Sequence, residues 1–256
     1  GSISKTFTAV IILQLIEENK LNLETTLDKF FPQIQNSAEI TIEHLLRHRS
    51  GIHNFTSDPD YQSYNQNAKT EAEMLEIFNQ LKPDFKPGEK YSYSNTGYVL
   101  LSYIAEKIEG KKYSEILNSR IVKPLKLEAT YLGGKINSIE NEAQSYSKTK
   151  EWLLSTETDM SIPLGAGGIV STPLELNRFF EGLFTGELVS EKSLEQMTNI
   201  IEGYGMGIFS FPFSSKKGFG HTGGIDGFSS MAGYFPHDSL FFAYCSNGIS
   251  MPLNNI

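Results

Sequence analysis

The chain has 256 residues, of which 39% are hydrophobic and 20% charged, the balance of a folded globular protein with ample material for a core. Its formal net charge of −8, with no basic stripe along it, argues against nucleic acid as a partner. No apolar run approaches the roughly 20 residues of a membrane-crossing helix, and a single cysteine, Cys245, excludes an internal disulfide.

The first residues, Gly1-Ser2-Ile3-Ser4-Lys5, admit two readings. One is the Gly-Ser scar that cloning leaves behind. The other is a serine and a lysine spaced S-x-x-K at the mouth of a helix. Residues 7–19 carry apolar side chains all round, which predicts a helix packed on several sides. A serine and a lysine three apart then share one face. The hydroxyl also lies near free N–H groups at the positive end of the helix. The same spacing recurs at Ser145/Lys148, Ser147/Lys150 and Ser214/Lys217 with no long apolar helix behind it. Spacing alone is therefore weak evidence, and an N-cap serine with a surface lysine accounts for it as well.

"TIEHLL" (41–46) predicts a short helix with Thr41 as its N-cap. His44 and His48 stand four apart, as zinc ligands can, but no glutamate follows His44, so no metal is assigned. Residues 54–67, "NFTSDPDYQSYNQN", are expected to form a lid over a cleft. Residues 70–81 predict an amphipathic helix and 87–90 a turn. Residues 94–111 predict a helix capped by Asn95 or Thr96 and ended at Gly110. Tyr93-Ser94-Asn95, just before it, is the one Y-x-N in the chain. A phenol there can exchange protons with a serine hydroxyl or a leaving amine. To act as a base it needs positive charge nearby, such as Lys5, because its ordinary pKa is about 10. The plainer reading is a packed tyrosine and a helix cap.

"GAGGIV" (165–170) lacks the third glycine and the preceding strand of a dinucleotide loop, and predicts a tight turn near the site. Residues 171–184 predict a helix with proline just inside its cap. From residue 204 onward, short aromatic-rich runs separated by Gly, Pro, Asn or Asp predict an antiparallel meander. On it sit His221, Thr222, Gly223 and Gly224, where small residues allow a ligand close approach and His221 would offer a hydrogen-bonding or cationic group. Cys245, between aromatic neighbours, is expected to be a buried, inert thiol. Helices early and strands late give an α+β class. A mostly helical part over 20–150 and a sheet-containing part over 160–256 share a face where a ligand site is expected. There is no G-x-S-x-G elbow, and no carboxylate pair stands out.

The order S-x-x-K, Y-x-N, H-T-G resembles the serine β-lactamase and penicillin-binding protein superfamily, in its class C β-lactamase and DD-peptidase-like branch. The likeness extends to "GSISKTFTAV", "TIEHLLRHRSGI", "PGEKYSYSNTGYVLLSYIAEKIEGK", "IVKPLKLEAT", "GAGGIVSTPLEL" and "GFGHTGGIDGFSSMAGYFP", in family order across nearly the whole chain. It implies a single β-lactamase/transpeptidase-like domain over 1–256, an antiparallel sheet flanked by helices with a helical subdomain and an active site between them. In this reading Gly1-Ser2 is native, and the usual N-terminal strands and C-terminal helix are lacking. The resemblance further implies that Ser2 is the acyl-accepting nucleophile and that Lys5 and Tyr93 share the proton traffic. Asn95 would bind the substrate amide, His221, Thr222 and Gly223 would line the opposite wall, and the N–H groups of Ser2 and Gly224 would form the oxyanion hole. No cofactor or metal is implied. His221 stands where class C β-lactamases usually carry lysine, so the pattern is more like DD-carboxypeptidases, D-amino-acid peptidases and family esterases. The implied substrate is a D-amino-acid peptide, an ester or a β-lactam. The alternatives are a true β-lactamase and a sensor that acylates without turnover. A periplasmic, secreted or cell-envelope location is the corresponding expectation.

Overall fold

In the computed structural model, which describes residues 1–213 and 216–250, the apolar stretch behind Ser2 forms helix α1 (Ser4–Glu17). Every residue from Ser4 to Leu13 is buried, so the helix runs through the middle of the core, as its all-round apolar character requires. Its buried hydroxyls are all engaged. Thr6 donates to the carbonyl of Gly207 at 2.7 Å and Thr8 to that of Gly165 at 2.7 Å. These two bonds fix the start of α1 against the two turns that flank the site.

The other helices are α2 (Ile42–Leu46), α3 (Tyr61–Tyr64), α4 (Glu71–Gln80), α5 (Asn95–Glu109), α6 (Tyr113–Leu117), α7 (Lys123–Leu125), α8 (Pro173–Phe184) and α9 (Glu191–Thr198). Their ends follow capping chemistry. Thr41, Thr70 and Thr172 accept the N–H of the residue three on, and Gly110 ends α5 in the left-handed conformation at φ +64°. The N-cap of α5 is Ser94, one residue before the expected position. The Thr96 hydroxyl is instead drawn to the carbonyl of His53 and the N–H of Phe55.

The strands are β1 (Tyr131–Leu132), β2 (Tyr146–Lys148), β3 (Trp152–Leu154), β4 (Ile169–Val170), β5 (Phe209–Phe213), β6 (Lys216–Ile225), β7 (Phe228–Phe235), β8 (Leu240–Ser246) and β9 (Gly248–Ile249). The four from β5 to β8 form an antiparallel meander in chain order, with Gly224 opposite Ser229 and His221 opposite Ala232. β1 pairs with β4, and β3, β2 and β9 make a small separate sheet. Helix α8 packs on the meander, with Phe184 against Tyr234 at 4.7 Å, and holds α1 through a stacked Phe7–Phe179 pair at 3.6 Å. Helical layer and sheet thus close over one core, the α+β arrangement expected from the sequence.

Two expectations change. Cys245 is exposed, although its neighbours Phe241 to Tyr244 on β8 are half-buried. The 54–67 segment is anchored rather than free: Phe55 is fully buried and the carbonyl of Asn65 accepts the Asp159 N–H. Ser214, one of the S-x-x-K serines, lies outside the described residues.

Gly165 tests how tightly the turn after Pro163 is held. A methyl group there would lie 2.3 Å from Ser102 Oγ and 2.4 Å from Thr8 Oγ1, both in the core. Gly165→Ala is expected to lower stability by about 1–3 kcal/mol, read as a lower thermal midpoint. An unchanged midpoint would show that this turn has room to give.

Candidate active site

Ser2 sits in the turn just ahead of α1, where Ile3 is the N-cap. One turn on, the Lys5 amine returns to it: Nζ lies 3.0 Å from Ser2 Oγ. Two carbonyl oxygens share the same nitrogen, Asn95 Oδ1 at 2.7 Å and Ala166 O at 2.6 Å. Lys5 has no exposed surface, and burial holds its pKa well below the ordinary lysine range. Three oxygens, Ser2 Oγ, Asn95 Oδ1 and Ala166 O, thus stand within hydrogen-bond reach of Nζ, while burial favours the uncharged form of the amine.

Tyr93 completes this side. Its phenol interacts with Ser2, and the Lys5 amine lies 4.9 Å from its ring centre. Burial pushes the phenol well above its usual range, and the bond to Ser2 offsets only part of that. The phenol therefore stays protonated. The expected lowering of the phenol's pKa by Lys5 is not seen: the shift runs upward, because burial outweighs it.

Asn95 also differs from its expected part. Its side-chain oxygen belongs to Lys5, and its amide nitrogen donates to Asn54 Oδ1 at 3.1 Å and Thr56 Oγ1 at 2.9 Å. Asn54 Oδ1 also accepts the backbone N–H of Asn95 at 2.9 Å. At rest, then, Asn95 orients the lysine rather than facing an open cleft. Asn54 opens the segment expected as a lid, and nothing in its local sequence announced the bond to a residue 41 positions away.

On the other wall, β6 runs directly beside Gly1-Ser2. A methyl group on Gly223 would come within 2.8 Å of the Ser2 nitrogen, so only glycine allows this approach. His221, Thr222, Gly223 and Gly224 line a cleft of about 300 Å³ together with Ser2, Tyr91, Tyr93, Tyr204 and Phe209. His221 is buried, with Nδ1–H donating to the Thr222 carbonyl and Nε2 accepting the Tyr204 hydroxyl at 2.9 Å. Burial brings its pKa down to about 3. The expected cationic or freely hydrogen-bonding imidazole is instead neutral, with both nitrogens committed. Among the described residues, the cleft lining has no lysine or arginine side chain.

His44 and His48 do not converge on a common point. His44 Nδ1 accepts the Thr41 N–H and His48 Nδ1 accepts the Ser94 N–H. No group of three metal-ligating side chains occurs among the described residues.

The chain is similar in sequence and in fold to proteins of one family. The Beta-lactamase family model matches residues 1–252. Penicillin-binding protein 4* of Bacillus subtilis (strain 168) is 29% identical over 96% of this chain and 60% of its own length. Teichoic acid D-alanine hydrolase of Staphylococcus aureus (strain MRSA252) is 27% identical over 75% of this chain and 47% of its own. The chain thus spans 60% or less of these two relatives. Among solved structures, a D-stereospecific amidohydrolase from Streptomyces sp. superposes with a TM-score of 0.88 at 31% identity, covering 97% of this chain and 81% of that one. The D-amino acid amidase of Ochrobactrum anthropi SV3, complexed with D-phenylalanine, gives 0.87 at 28% identity, covering 97% and 76%.

Asn54→Ala removes the acceptor for two Asn95 N–H donors. It is expected to cost about 1–3 kcal/mol, measured by urea unfolding. Wild-type stability would show that Asn95 is held by Thr56 and Lys5 alone.

Proposed function

The chain belongs to the beta-lactamase family, and we propose that it is a serine hydrolase cleaving amides or esters of D-amino-acid type through an acyl-enzyme on Ser2. The observation that carries this reading is the buried Lys5 amine, 3.0 Å from Ser2 Oγ and held by burial well below the ordinary lysine pKa range. A hydroxyl becomes nucleophilic when a base of suitable pKa stands within hydrogen-bond reach.

In the proposed cycle Ser2 Oγ bonds to the substrate carbonyl carbon while Lys5 takes its proton. The oxygen of the tetrahedral adduct faces the N–H groups of Ser2 and Gly224. One such donor contributes about 2.7–4 kcal/mol to the transition state. As the carbonyl–nitrogen or carbonyl–oxygen bond breaks, the Tyr93 hydroxyl protonates the leaving group, and the Lys5 ammonium restores that proton. Water then attacks the acyl carbon, passes its proton back through Lys5 to Ser2, and releases the acid. His221 and Thr222 wall the cleft, and Gly223 admits the substrate backbone.

Two observations favour neutral leaving groups within this class. The lining residues offer no cation to a carboxylate beside the scissile bond, and His221 is held neutral. That disfavours β-lactams and peptides ending in D-alanine carboxylate. The D-stereochemistry rests on what the similar proteins act on, a D-amino acid amidase and a teichoic acid D-alanine hydrolase among them.

The test compares D-alanine p-nitroanilide and a D-alanyl ester with a D-Ala-D-Ala peptide and a chromogenic cephalosporin. Many product equivalents per protein are expected from the first two, at least about tenfold faster in kcat/KM than from the carboxylate-bearing pair. Ser2→Ala should lower turnover by about a thousandfold or more. A single stoichiometric burst would point instead to a sensor, and undiminished activity in Ser2→Ala would end the assignment of the nucleophile.

A further inference from the structure

His48 has no part in the cycle above, yet its contacts converge on Tyr93. Its backbone carbonyl accepts the Ser92 N–H at 2.9 Å, and its Nδ1 accepts the Ser94 N–H at 3.1 Å. The residues on both sides of Tyr93 are thus held by one histidine. Between these two bonds the imidazole lies against the Tyr93 ring, centroids 4.2 Å apart and planes 36° from parallel. The backbone at His48 is left-handed, at φ +55°, a conformation that an L-residue adopts at a cost.

The other faces of the imidazole are enclosed as well. Tyr204 lies 4.5 Å away at 60°, Tyr98 at 5.1 Å and Tyr91 at 6.1 Å. Because Nδ1 is an acceptor, the proton is on Nε2, which is buried with no oxygen or nitrogen partner. Aromatic faces are what remain to receive it. Burial holds the ring's pKa well below the ordinary histidine range. Through Tyr204, whose hydroxyl binds His221, the same cage reaches the opposite wall of the cleft.

We propose that His48 is a positioning residue for the reaction at Ser2, a three-point clamp on Tyr93 that holds its phenol at the nucleophile. This rests on the serine-hydrolase reading of the site. His48 touches neither the substrate cleft nor Ser2 and acts only through the tyrosine, which gives it a signature that mere packing lacks.

The experiment measures the rate at which D-alanine p-nitroanilide labels Ser2 with its acyl group, read from the p-nitroaniline released, whose nitrogen needs a proton from Tyr93 as it departs. This rate and the thermal midpoint are measured for wild type, Tyr93→Phe, His48→Asn and the double variant. Asparagine keeps an acceptor for Ser94 but loses the ring. His48→Asn is expected to fold and to label about a hundredfold more slowly, the scale of a roughly 1 Å misplacement. In the Tyr93→Phe background the same change should slow labelling by no more than about twofold. A folded His48→Asn that labels at the wild-type rate, or an equal loss in both backgrounds, overturns the proposal. If His48→Asn does not fold, His48→Phe decides by the same two criteria, since it keeps the ring and loses the acceptor. Wild type that fails to label would remove the hydrolase reading itself. Labelled wild type with uncoupled variants removes only the role of His48.

Discussion

A fully buried amine beside a serine hydroxyl is the constraint around which this site is built. Taking an ammonium out of water costs several kcal/mol even after relaxation, and Lys5 lies fully inside, in the first turn of a core helix. The fold meets that cost by lowering the pKa of the amine and by surrounding it with three oxygens, Ser2 Oγ, Asn95 Oδ1 and Ala166 O. The same desolvation lowers the pKa of Lys5 and raises that of Tyr93, so one dry environment shifts the two groups in opposite directions.

The surrounding structure serves this arrangement. Thr6 and Thr8 pin the start of α1 to the turns at Gly207 and Gly165, and the second of these turns delivers the Ala166 carbonyl. Asn54 and Thr56 hold the Asn95 amide so that its oxygen points to the lysine. Across the cleft, Tyr204 and the Thr222 carbonyl occupy both nitrogens of His221. The wall opposite Ser2 therefore presents a histidine with both nitrogens engaged, and among the described residues the cleft lining has no lysine or arginine.

Much of this was legible in the sequence, and the limits have a physical cause. Local chemistry was easy to read: threonine caps at 41, 70 and 172, a glycine stop at 110, an all-round apolar run behind Ser2, and alternating turns in the strand-rich third. The three short motifs named Ser2, Lys5, Tyr93 and His221, and the fold brings these segments to one cleft. What escaped depends on partners far along the chain. The protonation states of Lys5, Tyr93 and His221 follow from burial, which residue identity does not reveal. Asn95 turned out to face the lysine because Asn54 claims its nitrogen. The histidine pair at 44 and 48 offered a zinc-like spacing without the accompanying glutamate and so no assignment, and the contacts of His48 with the Tyr93 segment form once residues 48 and 92–94 are brought side by side. Cys245 was misjudged because aromatic neighbours along a strand do not say whether the residue beside them is covered.

Selective isotope labelling of lysine, followed by an NMR titration of the Lys5 side-chain nitrogen and its adjacent carbon, tests the account at its root. The Lys5 resonances should titrate at lower pH than those of the exposed lysines, because burial lowers its pKa. An ammonium signal that persists at Lys5 up to about pH 10, where exposed lysines titrate, would contradict it.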